Sequence, residues 1–227
     1  MIYLTGDMHG KQRLDEIVRF AENCSNLDYL IILGDFGGIW DSDTSVVDRL
    51  TVLSCKILFI DGNHENFDLL NDYPTEDWGG GRVHKVAKNV MHLMRGELYS
   101  IEGKTFFTFG GAISRDKLFR REGVSWWPQE EAKEDELNHA EDTLKKIGRV
   151  DYVLTHCGNM EAVQRLAIRQ HSRGLTVCRQ SIRISQLLAG IPYQKWFCGH
   201  YHIDAEIGKY VFLYKTFYWL GRGEESK

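Results

Sequence analysis

Eight residues have the types and placement to do chemistry: Asp7 and His9 in GDMHG (6–10), Asp35 in LGDFGG (33–38), Asn63 and His64 in GNHE (62–65), His156 behind Thr155, and His200 and His202 in GHYH (199–202). Each stands in a glycine-flanked loop or directly behind an apolar run. Carboxylates and imidazoles are the mixed oxygen and nitrogen donor set of divalent first-row metals such as Mn, Fe, Co, Ni and Zn. Calcium would require more oxygens, and a thiol-rich site would require cysteines. Seven donors, His64 aside, are too many for one tetrahedral ion. With one donor shared they suit two ions about 3.5–4 Å apart, a spacing at which both can grip one phosphoryl group. Asp35, alone in its loop, is the natural bridge.

Such a constellation needs elements that end at one place. Ile2 to Thr5 is a short strand-like run ending at Gly6, and Lys11 to Cys24 carries Leu14, Ile17, Val18 and Ala21 at the spacing of an amphipathic helix. Asp28 to Leu33 and Lys56 to Ile60 are further apolar runs, with a helical pattern over Val46 to Leu53 between them. The unit of strand, polar loop and helix therefore recurs. Strands apolar along their whole length predict a sheet buried on both faces with right-handed crossovers, and ligands in such sheets bind at the carboxyl ends of the strands. Asp7, His9, Asp35, Asn63 and His64 fall there.

From Val83 onward the pattern changes to short pieces, Val90 to Met94, Leu98 to Ile101 and Thr105 to Phe109, separated by Gly96 and Gly103. These predict a meander in a second sheet. Ala112 to Lys133 is polar and arginine-rich around Trp126-Trp127-Pro128 and reads as a cap insertion, followed by a helix over Glu130 to Ile147. Asp151 to Thr155 and Lys195 to Cys198 are two more strands, ending at His156 and at Gly199-His200. Asp204 to Leu220 reads as terminal strands, and the polar tail from Arg222 to Lys227 as frayed.

Hydrophobic residues make up 43% of the chain and charged residues 26%, the balance of a soluble globule, and 227 residues fit a single domain. A net charge of −4 argues against strong nucleic-acid binding or attraction to an anionic membrane. No apolar stretch reaches the roughly 18 residues of a membrane span. GDMHG begins so early that no secretory leader fits ahead of it. The five cysteines are odd in number and lack CxxC spacing, so they read as reduced thiols of a cytoplasmic protein. Cys157 and Cys198 read as buried structural thiols rather than nucleophiles.

The ordered set GDMHG, GD, GNHE, Thr155-His156 and GHYH resembles the calcineurin-like metallophosphoesterase superfamily, with its blocks in family order over most of the chain. The resemblance implies an α/β fold, a two-sheet β-sandwich flanked by helices. It implies one metal on Asp7, His9, Asp35 and His202, and a second on Asp35, Asn63, His156 and His200. It also implies that His64 approaches the phosphate and aids departure of the leaving group. The activity implied is hydrolysis of a phosphate ester by a hydroxide bridging two divalent ions (Mn, Fe, Zn, Ni or Co, with Mn favoured in vitro). A phosphomonoesterase acting on phosphoproteins or nucleotides is preferred to a phosphodiesterase acting on cyclic or dinucleotides. A silent protein-binding scaffold is disfavoured because every ligand position and His64 are present.

The sequence departs from its relatives in one place. Serine/threonine phosphatases of the superfamily carry GDxVDRG, whose arginine binds phosphate, whereas this chain reads GDFGGIWD with no arginine nearby. Phosphate-binding charge is then expected from the cap, from Arg115, Arg120 and Arg121, with Trp126 and Trp127 offering flat surfaces for a base or aryl group. The alternative is that the tryptophans pack the cap onto the domain while the arginines are solvated. Asp41 is the candidate acid partner of His64. His84, His92, His139 and His171 read as surface or packing residues, and Asp61 as a hydrogen-bond acceptor in its loop.

Overall fold

The apolar runs Ile2–Thr5, Tyr29–Leu33 and Lys56–Ile60 form strands β1, β2 and β3, paired in parallel in that order. The computed structural model describes residues 1–172, 174–175 and 177–221, so the tail from 222 to 227 lies outside the described residues. Alternation along each strand divides its side chains between two layers. Leu4, Ile31, Leu33, Leu58 and Ile60 point into a central core, whereas Leu30, Ile32, Ile57 and Phe59 face outward. The outer face is covered by helices α1 (Leu14–Ala21), α2 (Ser45–Thr51) and α3 (Phe67–Asn71) through Leu14, Ile17, Val18, Val46, Leu50 and Leu70. Full burial of a Leu, Ile or Val side chain contributes about 1.5–3 kcal/mol, so each helix is fixed mainly by its apolar stripe.

Strands β4 (Thr75–Trp78), β5 (Gly81–Lys85) and β6 (Val90–Leu93) extend this sheet beyond β3. Here the structure corrects an expectation. Val90–Leu93 belongs to the first sheet, parallel to β3, and not to a meander with the strands that follow it. Its four residues are all buried, as an interior position requires, and Ile57 N–H donates to Asn89 O at 2.8 Å to start the pairing. A strand's own sequence reports its burial; which sheet accepts it is set by the partner.

The second sheet contains β7 (Leu98–Ile101), β8 (Lys104–Phe109), β9 (Tyr152–Thr155), β10 (Lys195–Cys198), β11 (Ala205–Ile207) and β12 (Tyr210–Phe212) in the order β11-β12-β10-β9-β8-β7. Strand β13 (Tyr218–Trp219) returns to the first sheet against β1. Phe106, Tyr152, Leu154, Phe197 and Val211 meet the first sheet in the central core. Phe107, Val153, Trp196 and Phe212 face α4 (Glu134–Lys145), α5 (Met160–Arg169) and α6 (Arg179–Leu187). The layers run helix, sheet, sheet, helix: an α/β two-sheet sandwich. Among the described residues no helix is long and apolar enough to cross a membrane.

Between β8 and α4 the 112–133 segment contains two 3-10 turns, Lys117–Phe119 and Pro128–Glu130, and an isolated bridge between Glu122 and Trp126. The helix expected from Glu130 starts at Glu134 instead. Pro128–Glu130 closes its own turn and Glu130 points inward, fully buried, while Lys133 N–H is met by Glu136 Oε2 at 2.7 Å.

Candidate metal centre

Asp7 follows β1, Asp35 follows β2, Asn63 follows β3, His156 follows β9 and His200 follows β10. Parallel strands of both sheets thus deliver their loops to one edge of the sandwich. Asp7, His9, Asp35 and His202 each offer a donor atom within 4.8 Å of the others. His9 Nε2 lies 2.9 Å from His202 Nε2, His202 Nε2 lies 3.0 Å from Asp7 Oδ2, and His9 Nε2 lies 3.8 Å from Asp35 Oδ2. The other oxygen of Asp35 faces a second group. His156 Nε2 is 3.3 Å from Asp35 Oδ1 and 3.2 Å from Asn63 Oδ1, and the His200 ring meets His156 edge-on at 5.0 Å between centroids.

The backbone is bent to achieve this. His9, Asp35, His200 and His202 have φ of 53°, 46°, 68° and 52°, in the left-handed region that side chains other than glycine rarely adopt. Such conformations cost about 1–3 kcal/mol each and persist only where the surroundings hold them. The hold is visible: His9 N–H donates to Asp35 O at 2.7 Å, His64 N–H to Asp35 Oδ1 at 2.7 Å, and His200 N–H to Asp7 Oδ1 at 2.9 Å. Close approach fixes two glycines. A Cβ on Gly62 would run into the Asp35 carboxylate, and one on Gly199 into that of Asp7.

The donor set fits divalent cations on three grounds. It is a carboxylate, carboxamide and imidazole set. His156 Nδ1 is bonded to Leu33 O at 2.8 Å, which commits that nitrogen as donor and turns Nε2 toward the other ligands. Burial disfavours imidazolium at His156, but the Asp35 and Asp7 carboxylates outweigh it and raise its pKa to about 10. The Asp35 carboxylate and the His156 ring thus face each other across the position that a cation would take, and metal binding there would displace a proton from the ring. His200, penalised by burial and repelled by His156, is lowered to about 4.

His64 stands beside these groups, its ring 5.3 Å from that of His9. Its partner is not Asp41, which is exposed and accepts from Asp43 N–H at 2.8 Å. It is Arg120, whose Nη1 lies 3.0 Å from His64 Nδ1 and Nη2 3.4 Å from Nε2. Arg120 is itself held by Asp116, at 2.8 Å from Nε to Oδ1, and by Ser125 O at 3.1 Å. Burial, with help from Arg120 and against Asp35, lowers the His64 pKa.

A cavity of about 410 Å³ opens onto this edge, lined by Asn63, His64, Arg115, Arg120, His200 and Tyr201 among others. The five residues expected to bind substrate separate here. Arg115 and Arg120 line the cavity, and Arg121 is exposed on the segment. Trp126 is half-buried. Trp127 is 3% exposed, packs edge-on against Trp40 and donates its indole N–H to Asp68 at 2.7 Å, so it anchors the segment to the domain.

Several residues that position the site were not singled out from sequence. Glu65, buried, accepts from Phe36 N–H (2.7 Å), Gly37 N–H (3.0 Å) and Gly62 N–H (3.3 Å), tying the Asp35 and Asn63 loops together. Its signal was its place inside GNHE. Arg13 clamps the first loop by donating to Asp7 O at 2.9 Å and Gly6 O at 3.2 Å. Ser114 and Glu130 reach Asn63 from behind. Asp61 is a buried acceptor, bonded to Arg95 at 2.6 and 2.9 Å and to His92 at 3.2 Å. His84 and His92 are buried with it, and His139 bonds Glu97 at 2.9 Å.

Comparison with known proteins is consistent with this geometry. The family model for calcineurin-like phosphoesterases matches residues 1–204. An uncharacterized protein of Acanthamoeba polyphaga mimivirus is 26% identical over 113 residues, which cover 48% of this chain and 40% of that protein's length. One solved crystal structure superposes with a TM-score of 0.55 at 10% identity, over 93% of this chain and 88% of its own. A protein described as a 5′-nucleotidase from Staphylococcus aureus gives a TM-score of 0.49 at 13% identity, over 94% of this chain and 48% of its own.

Proposed function

The chain belongs to the calcineurin-like phosphoesterase family, and from that premise we propose that it is a dimetal phosphoesterase acting on phosphomonoesters, of the nucleotide or phosphoprotein type. The observation that carries the proposal is the orientation of Asp35, with Oδ2 toward His9 in one donor group and Oδ1 toward His156 in the other. Asp7, His9 and His202 complete the first group, and Asn63, His156 and His200 the second. Divalent ions bound there, Mn among them, supply Lewis-acid activation of water and neutralise charge on the phosphoryl oxygens.

The chain's own residues supply the rest. Asn63 contributes a neutral oxygen, which leaves more positive charge at the centre than a third carboxylate would. Arg115 and Arg120 line the cavity beside His64, where guanidinium forks match phosphate oxygens. A monoester carries more negative charge than a diester, and two cationic side chains next to the donor groups favour it. When neutral, His64 receives Arg120 at Nδ1, the shorter contact, and so carries its hydrogen at Nε2, from which it can donate a hydrogen bond to a phosphoryl or departing oxygen.

A phosphodiesterase is the second reading, supported by the size of the cavity, about 410 Å³ with Leu175 and Tyr201 in its wall, which leaves room for a second ester arm. The two separate by relative rates on p-nitrophenyl phosphate and bis(p-nitrophenyl) phosphate after reconstitution with Mn, with metal content measured on the same sample. About two ions per chain and faster monoester turnover support the proposal. Faster diester turnover transfers it to the second reading, and well-folded protein with neither metal nor turnover refutes both.

A further inference from the structure

Asn63 is the carboxamide donor of the centre, and a carboxamide can present either its oxygen or its NH2 group to an ion. Only the oxygen ligates. Which end faces forward is decided from behind, by two residues of the 112–133 segment. Ser114 N–H donates to Glu130 Oε1 at 2.8 Å, and the Ser114 hydroxyl donates its single hydrogen to Glu130 Oε2 at 2.5 Å. The hydroxyl is then left with lone pairs only. Asn63 Nδ2 donates to it at 3.1 Å, and Asn63 Oδ1 is thereby turned toward His156 Nε2, 3.2 Å away. Asn63, Ser114 and Glu130 are 6%, 3% and 0% exposed, so these bonds are largely shielded although Asn63 and Ser114 border the cavity.

We infer that Ser114 and Glu130 are positioning residues that fix the carboxamide oxygen of Asn63 toward the second ion, so that the cap segment takes part in metal binding as well as flanking the substrate cavity. The inference rests on the dimetal reading above. Its direction of hydrogen bonding makes an unusual demand on Glu130. In Glu130→Gln the side-chain oxygen stays on Ser114 N–H, and the new NH2 group must donate to the Ser114 hydroxyl. The hydroxyl hydrogen then turns to Asn63, the carboxamide rotates to accept it, and its NH2 group faces the ion. A near-isosteric change that a purely structural role would tolerate therefore reverses the whole chain.

The test is calorimetric titration of metal-free protein with Mn, in wild type, Ser114→Ala, Ser114→Thr and Glu130→Gln, with thermal unfolding of each metal-free protein alongside. Loss of a group that orients a ligand typically weakens metal affinity about 10–100-fold. The expected result is two ions in wild type, with the second bound about 10–100-fold more weakly in Ser114→Ala and Glu130→Gln and the first unchanged. Ser114→Thr, which keeps the hydroxyl, restores the second ion. Wild-type affinity for both ions in Glu130→Gln overturns the inference while leaving the dimetal reading intact, as does a loss at both sites that follows a fall in metal-free melting temperature. A single ion in wild type removes the dimetal reading and the inference with it.

Discussion

Arg120 Nη1 lies 3.0 Å from His64 Nδ1, so this cavity-lining imidazole is held by a guanidinium and not by a carboxylate. The carboxylate stands one step further out, since Asp116 grips Arg120 at 2.8 Å. This order keeps a positive charge at the ring where a direct acid would place a negative one. The cavity wall therefore holds two arginines and two histidines, Arg115, Arg120, His64 and His200, with Asp116 beside Arg120.

Arg120→Ala is expected to lower kcat/KM on p-nitrophenyl phosphate by about tenfold to a hundredfold, because hydrogen bonds to charged groups are worth about 1.5–3 kcal/mol. Asp116→Asn should cost less, as the guanidinium stays in place with Ser125 O. Steady-state kinetics on Mn-loaded protein decide the matter. A variant that turns over at the wild-type rate would show that Arg120 contacts neither His64 nor phosphate productively.

Asp35→Asn removes one oxygen of a carboxylate whose two oxygens face the two donor groups. Metal content after Mn reconstitution should fall below one ion per chain, and hydrolysis should fall to background. Retention of two ions would mean that the groups bind independently and that Asp35 bridges nothing.

How much of this was legible in the sequence depends on where each residue gets its instructions. The eight residues at strand ends carry their signal locally, in residue type, flanking glycines and an apolar run ahead. Val90–Leu93 carries a strand pattern but no label for its sheet, which is supplied by Ile57, Leu58 and Phe59. The chain from Glu130 through Ser114 to Asn63 joins positions 16 and 51 residues apart. Asn63 is marked by its GNHE block, but neither Ser114 nor Glu130 looks unusual until they are buried together. Trp127 and Arg120 belong to one short segment, yet one turns into the domain and the other toward the cavity, a division set by Trp40 and Asp68 on one side and His64 on the other.

Glu65 receives three backbone N–H groups from two different loops while buried. In Glu65→Ala those donors lose their partner, and each unsatisfied buried group costs about 1–3 kcal/mol. For a domain of this size about 1 kcal/mol shifts the melting temperature by roughly 2–4 °C. A fall of roughly 6 °C or more in metal-free protein is expected, with weaker Mn binding since the Asp35 and Asn63 loops are no longer tied. An unchanged melting temperature would mean that water replaces the carboxylate fully.

His84 gives the fold a pH dependence separate from the metal centre. Burial, reinforced by His92 at 3.0 Å and Arg82 and opposed by Asp61, lowers its pKa from 6.5 to about 4. Between those values the unfolded chain binds a proton at this residue that the folded protein refuses, so stability rises with pH across the window. Its contribution is fully present above pH 6.5 and is lost as pH falls toward 4, with a limiting slope of about 1.4 kcal/mol per pH unit. Urea unfolding of metal-free protein from pH 7.5 to 4.5 should show a slope shallower in His84→Gln, which cannot take up the proton, than in wild type by up to that amount. Equal slopes in the two proteins would assign the acid sensitivity to other groups.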